Sequence, residues 1–151
     1  MKNFIRFITI LFCVITLSAL MTHLLELRVK INLSREKYQF VQGIYSGWQW
    51  LGIFEIGTIV LALIWLIRDR KANNIYRYLL IAFLCFGISL AIFFTFTFPT
   101  NQATANWTNL PANWEDLRKT WEYSHAARAV LYLFGFSFLI VSILIKEKNQ
   151  L

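Results

Sequence analysis

YLLIAFLCFGISLAIFFTFTF, running from Tyr78 to Phe98, is a stretch of 21 residues without a single charge. About 20 mostly apolar residues in a helix cross the hydrocarbon core of a bilayer. A surface helix of a soluble domain would carry a polar face, and this stretch has none. It places the chain in a membrane.

Working outward, three more runs approach the same length: Phe7 to about Leu27, about Trp48 to Ile67, and about Ala129 to Ile145. The expected fold is all-α, a transmembrane four-helix bundle forming one integral membrane domain over residues 1–151. A short extra helix is expected in the connection between helices three and four. There Asn113-Trp114-Glu115-Asp116-Leu117 reads as a helix start with Asn113 as its cap.

Composition agrees, since only 15% of the residues are charged against about 25% in soluble domains. Cys13 and Cys85 each lie inside an apolar run without a C-x-x-C pattern, so neither a disulfide framework nor a zinc ribbon is expected. The first run follows Lys2 and Arg6 as a signal peptide would, but no A-x-A cleavage site ends it, and it reads as a retained helix.

The net charge of +7 reads as a topology signal rather than a nucleic-acid surface, because the basic residues cluster between spans. Lys2, Arg6, Arg68, Arg70, Lys71, Arg77, Lys146 and Lys148 fall on one side. The dense Arg68–Arg77 connection makes that side cytoplasmic, with both termini inside a bacterial inner membrane. The other side carries Arg28, Lys30, Arg35, Lys37, Arg118, Lys119 and Arg128. It also holds Trp48, Trp50, Trp107, Trp114 and Trp121, which read as an interfacial aromatic belt or as stacking surfaces for a planar ligand.

Ionisable residues inside spans are costly and face a bundle interior or a functional site. Helix one carries His23-x-x-Glu26, helix two Glu55, and helix four begins with Glu122-x-x-His125 followed by Arg128. A spacing of three puts each His/Glu pair on one helix face. Three readings stay open. His23, Glu26, Glu55, Glu122 and His125 would supply ligands for a transition metal, best as a mononuclear site with two histidines and one carboxylate. His23 and His125 would alternatively be the axial ligands of haem b in a small membrane cytochrome. Otherwise the polar residues form a structural network with Arg128. No phosphate loop, nucleophile elbow or H-E-x-x-H motif is present.

Other stretches carry a resemblance: His23-Leu24-Leu25-Glu26-Leu27, Tyr38 through Gly52, and Asn101-Gln102-Ala103-Thr104-Ala105-Asn106-Trp107. Leu110-Pro111-Ala112-Asn113-Trp114-Glu115 and Trp121-Glu122-Tyr123-Ser124-His125-Ala126-Ala127 complete it. Over nearly the whole chain the sequence resembles small bacterial four-span membrane proteins related to the anthrone oxygenase-like family. The most specific parts are Pro99-x-Asn101 and Trp121-x3-His125-x2-Arg128. The resemblance implies an oxidoreductase in which Asn101, Trp121, His125 and Arg128 matter. The expected substrate is a lipophilic aromatic or quinol-like small molecule met in the lipid bilayer. The rival expectation is a non-catalytic scaffold, complex subunit or small transporter. A homo-oligomer is left open, and nucleic acid is not an expected partner.

Overall fold

A computed structural model describes residues 2–148, with side chains for residues 3–145. The expected anchors Lys2, Lys146 and Lys148 lie outside the described side chains. Among the described residues all regular structure is helical: α1 (Lys2–Lys30), α2 (Arg35–Gln42), α3 (Gly52–Arg68), α4 (Asn73–Ile92), α5 (Phe98–Ala103) and α6 (Trp114–Lys148). Among the described residues four helices are long and apolar enough to span a bilayer: Asn3–Lys30, Trp48–Arg68, Asn73–Ala103 and Trp114–Ile145. The protein is an integral membrane four-helix bundle.

α1 packs on α3 and α6, and α4 packs on the same two helices. The spans therefore form an up-and-down ring in chain order, with the start of α1 and the end of α6 at one end. Arg6 on α1 meets Asp69, just after α3, at that end, and Trp65 donates its indole N–H to the same carboxylate.

Two packing devices bring the helices close. On α1 the buried residues Thr9, Cys13, Thr16, Leu20, His23 and Lys30 follow the alternating three- and four-residue spacing of a coiled-coil seam. Their threonine hydroxyls return to the helix's own carbonyls, so these polar groups are spent locally. Gly57 lets the Phe12 ring lie against α3, and Gly135 lets Phe86 lie against α6; a Cβ at either would stand about 2.5 Å from ring carbons. Small residues at helix contacts replace the hydrophobic drive that lipid removes.

The third span contains a π turn at Phe93–Thr97, where the Phe98 N–H bonds to the Phe93 carbonyl five residues back. Pro99 supplies the reason. It lacks an N–H and its ring would clash with the carbonyl four residues earlier, and a widened turn relieves both.

The helix that carries the fourth span begins at Trp114, well before the apolar run that starts at about Ala129. The turn at Asn113 runs straight into it, so the short extra helix expected at Asn113–Leu117 is the first turn of α6, and α5 continues the third span. The charged residues between 115 and 128 had cut the hydropathy window short. Arg118, Glu122 and Arg128 instead turn inward to polar partners, so the helix does not break there.

At the end away from the termini, α2 forms a cap. Arg35 donates to the Leu110 carbonyl, Gln39 to the Thr108 carbonyl at 2.9 Å, and Arg118 to the Leu33 carbonyl at 2.6 Å. Tyr38 sits in this cap, buried among Trp107, Leu110, Trp114 and Trp121.

Candidate functional site

Between the cap and the apolar core lies a cavity of about 910 Å³ lined by α1, α2, α3, α4, α6 and both long connections. Its polar lining includes His23, Gln42, Glu55, Asn101, His125 and Arg128, and its aromatic lining Tyr45, Trp48, Phe93, Trp107 and Trp121. The volume falls within the range of small-molecule sites, about 300–1,000 Å³.

Two histidines stand together in one wall. The His23 ring on α1 and the His125 ring on α6 have centroids 4.3 Å apart. Trp121 lies edge-on to both, 4.9 Å from His23 and 4.2 Å from His125. Trp121 and His125 are four residues apart and share a helix face. The indole N–H of Trp121 donates to Asn101 Oδ1 at 2.8 Å, which fixes the ring's orientation.

The carboxylates are each engaged by a cation. Arg128 reaches Glu55 at 2.7 Å, with both side chains nearly buried. Lys30 reaches Glu122 at 3.0 Å, at 2% and 0% exposure. The Tyr38 hydroxyl also donates to Glu122 at 3.0 Å, and the Tyr45 hydroxyl donates to Glu26. Burial pushes the Tyr38 phenol well above the ordinary tyrosine range, and the Glu122 charge adds to the shift. Tyr45 moves the same way, from burial and from its bond to Glu26.

Of the polar residues singled out in the sequence, His23, Glu55, Asn101, His125 and Arg128 line the cavity. Glu26 and Glu122 do not. Glu26 sits at the rim with its side chain 41% exposed, and Glu122 lies sealed beside Lys30. The five expected ligands His23, Glu26, Glu55, Glu122 and His125 are thus not gathered as one set. Among the described residues no three His, Cys, Asp or Glu side chains form a group able to hold a metal. The haem geometry does not fit either. Ligands on opposite sides of a metal, each bonded at about 2 Å, place their ring centroids about 6 Å apart, whereas these rings are 4.3 Å apart.

The polar lining holds unspent hydrogen-bonding groups. Trp107 Nε1 and Arg128 Nε are buried donors without a protein partner, and Glu55 Oε1 and His125 Nδ1 are buried groups likewise unpaired. These groups face or flank the cavity and leave its lining with hydrogen-bonding capacity that the protein itself does not use.

The rim carries backbone strain. Ala105, Asn106 and Trp107 all have positive φ, at 48°, 54° and 66°, a left-handed turn costing about 1–2 kcal/mol per residue. Thr104, fully buried, pays for it by accepting the Trp107 N–H at 3.1 Å. The Asn106 N–H reaches the Asn101 carbonyl at 2.7 Å. This turn sets Trp107 over the cavity, and such strain collects at ligand sites.

Sequence reasoning missed Lys30, Tyr38, Gln42 and Tyr45. Lys30 had a signature: it stands seven residues after His23, two turns along the same seam. Tyr38, Gln42 and Tyr45 lie in a stretch that carries the family resemblance, but their place in the site was not legible, because their burial depends on how α2 folds back over the bundle. The tryptophans divide as well. Trp50 is 77% exposed and fits the interfacial belt, while Trp107, Trp114 and Trp121 are buried.

The sequence profile of the anthrone oxygenase family matches residues 43–138. No curated protein and no solved structure matches the chain. The match begins at Gly43, so the His23-Leu24-Leu25-Glu26-Leu27 stretch lies outside it and the likeness falls short of the whole chain. It takes in Glu55, Asn101, Trp121, His125 and Arg128. It spans more than half of the sequence, and the chain belongs to the anthrone oxygenase family.

Proposed function

We propose that this member of the anthrone oxygenase family is a membrane oxygenase of planar, lipophilic phenolic ketones of the anthrone type, with dioxygen as co-substrate. The observation that carries the reading is the pair of adjacent imidazoles in a ligand-sized aromatic cavity that also holds unpaired buried donors.

The chemistry follows from the groups in hand. The substrate's ring methylene is acidified by its ketone. His125 takes one methylene proton as general base. The enolate oxygen then meets Arg128, supported by the unpaired indole N–H of Trp107, and the two stabilise charge that forms only as the proton leaves. The electron-rich ring carbon adds dioxygen. Loss of the second methylene hydrogen breaks the O–O bond and releases water. One CH₂ and one O₂ become one C=O and one H₂O: carbon is oxidised, oxygen is reduced, and no other reductant is consumed. Trp121, Trp48 and Trp107 supply aromatic faces and edges to the ring system. Glu55 holds the Arg128 guanidinium.

The exposed basic connection of Arg68, Arg70, Lys71 and Arg77 favours a cytoplasmic position for that end, with the cavity opening on the opposite face. The test is direct. Purified protein given an anthrone in detergent should consume oxygen in step with the appearance of quinone absorbance. A protein that binds the anthrone and leaves it unoxidised in air contradicts the reading.

A further inference from the structure

Two neutral imidazoles side by side are chemically interchangeable unless something distinguishes them. Lys30 does. Its ammonium is buried, 3.0 Å from Glu122 Oε1, and lies 4.6 Å and 4.8 Å from the ring centroids of Tyr45 and Trp121. Its Nζ also stands 3.4 Å from His23 Nδ1. Lys30 lies behind the cavity wall and does not line it.

We infer that Lys30 is a positioning residue that fixes His23 as the hydrogen-bond donor of the pair and leaves His125 as the base. The inference rests on the oxygenase reading for its functional meaning and on the Lys30 contacts for its geometry. An ammonium has three N–H donors and no acceptor. His23 Nδ1 can meet it only through a lone pair, because a hydrogen there would face the ammonium's own hydrogens. The single hydrogen of the His23 ring therefore sits on Nε2. The tautomer is set by the bond its other nitrogen makes, as with any histidine.

His125 has no such partner, and its Nδ1 is buried without a hydrogen bond. Its tautomer is free to follow the substrate, as a proton acceptor requires. His23 Nε2–H then donates to the oxygen that develops charge. Glu122 completes the device. Held by the Tyr38 hydroxyl, it anchors the ammonium, and the rings of Tyr45 and Trp121 confine it on two sides.

The chain has only two histidines, so the inference can be read atom by atom. Protein labelled with ¹⁵N-histidine in detergent, assigned with a His125→Gln variant, should show His23 with a pyridine-type Nδ1 and a pyrrole-type Nε2. Lys30→Met should abolish this lock and give a mixture of tautomers. Because Lys30→Met strands the Glu122 carboxylate and can fail to fold, the Lys30→Met/Glu122→Met double variant, which removes both charges, provides the same reading. A wild-type His23 with its hydrogen on Nδ1 overturns the inference, as does an unchanged His23 spectrum in either folded variant. The spectrum is taken without substrate. A wild-type protein that oxidises no anthrone contradicts the oxygenase reading, while the tautomer still decides what Lys30 does.

Discussion

Arg128 on α6 reaches across the ring of helices to Glu55 on α3, with an N–O separation of 2.7 Å and both side chains buried. Breaking a buried pair from one side leaves an uncompensated charge and costs about 3–5 kcal/mol. Glu55→Ala and Arg128→Ala should each lower the thermal midpoint in detergent markedly. The Glu55→Met/Arg128→Met double variant should lose far less than the two combined. Additive losses would show that the two side chains do not act as a pair.

Tyr38 and Tyr45 set an alkaline limit on stability. Both phenols have folded pKa values raised above the unfolded value of about 10. Above that pH the unfolded chain loses protons that the folded chain keeps, so stability falls as pH rises. Below it their contribution is fully present. The melting temperature should therefore fall steadily as pH rises above about 10, and a Tyr38→Phe/Tyr45→Phe variant should flatten that fall. An equal drop in the variant would assign it elsewhere.

Filling the cavity should separate binding from folding. Ala19 lines it on α1, and Ala19→Phe introduces a ring into open space. A planar anthrone should quench the tryptophan fluorescence of the wild type through Trp48, Trp107 and Trp121. The variant should fold, with its melting point little changed, and lose most of that quenching. Full quenching in the variant would put the ligand somewhere else.

The left-handed turn at Ala105, Asn106 and Trp107 gives a gain in place of a loss. Glycine accepts the 48° φ of Ala105 without the Cβ clash. Ala105→Gly should relieve about 1 kcal/mol of strain, offset in part by the entropy of a freer unfolded chain. Its melting point should rise or hold level, whereas Thr104→Val, which removes the acceptor for the Trp107 N–H, should lower it.

How much of this was legible in the sequence divides along physical lines. The four spans were legible because lipid demands about 20 apolar residues, and composition reports that directly. The inward orientation of His23, Glu55, His125 and Arg128 was legible because charge inside a span needs a partner. The start of α6 was not. Hydropathy alone starts the apolar run at Ala129; the helix extends back past Glu122 because Glu122 and Arg128 have partners, Lys30 and Glu55, that lie 92 and 73 residues away in the chain, and a window along the sequence cannot see them. The metal reading failed to gather its ligands for the same reason: spacing showed two His/Glu pairs on helix faces, but only packing showed that Glu55 and Glu122 face cations.

The central claim is that His125 takes the proton that starts oxidation in this cavity. Oxygen uptake with an anthrone, measured on wild type and His125→Gln at equal occupancy as judged by fluorescence quenching, tests it most directly. Removing a positioned general base costs about 100-fold or more in rate. His125→Gln should show such a loss with binding retained, and the wild type should consume one oxygen molecule per quinone formed. A His125→Gln protein that oxidises the bound anthrone at the wild-type rate contradicts it.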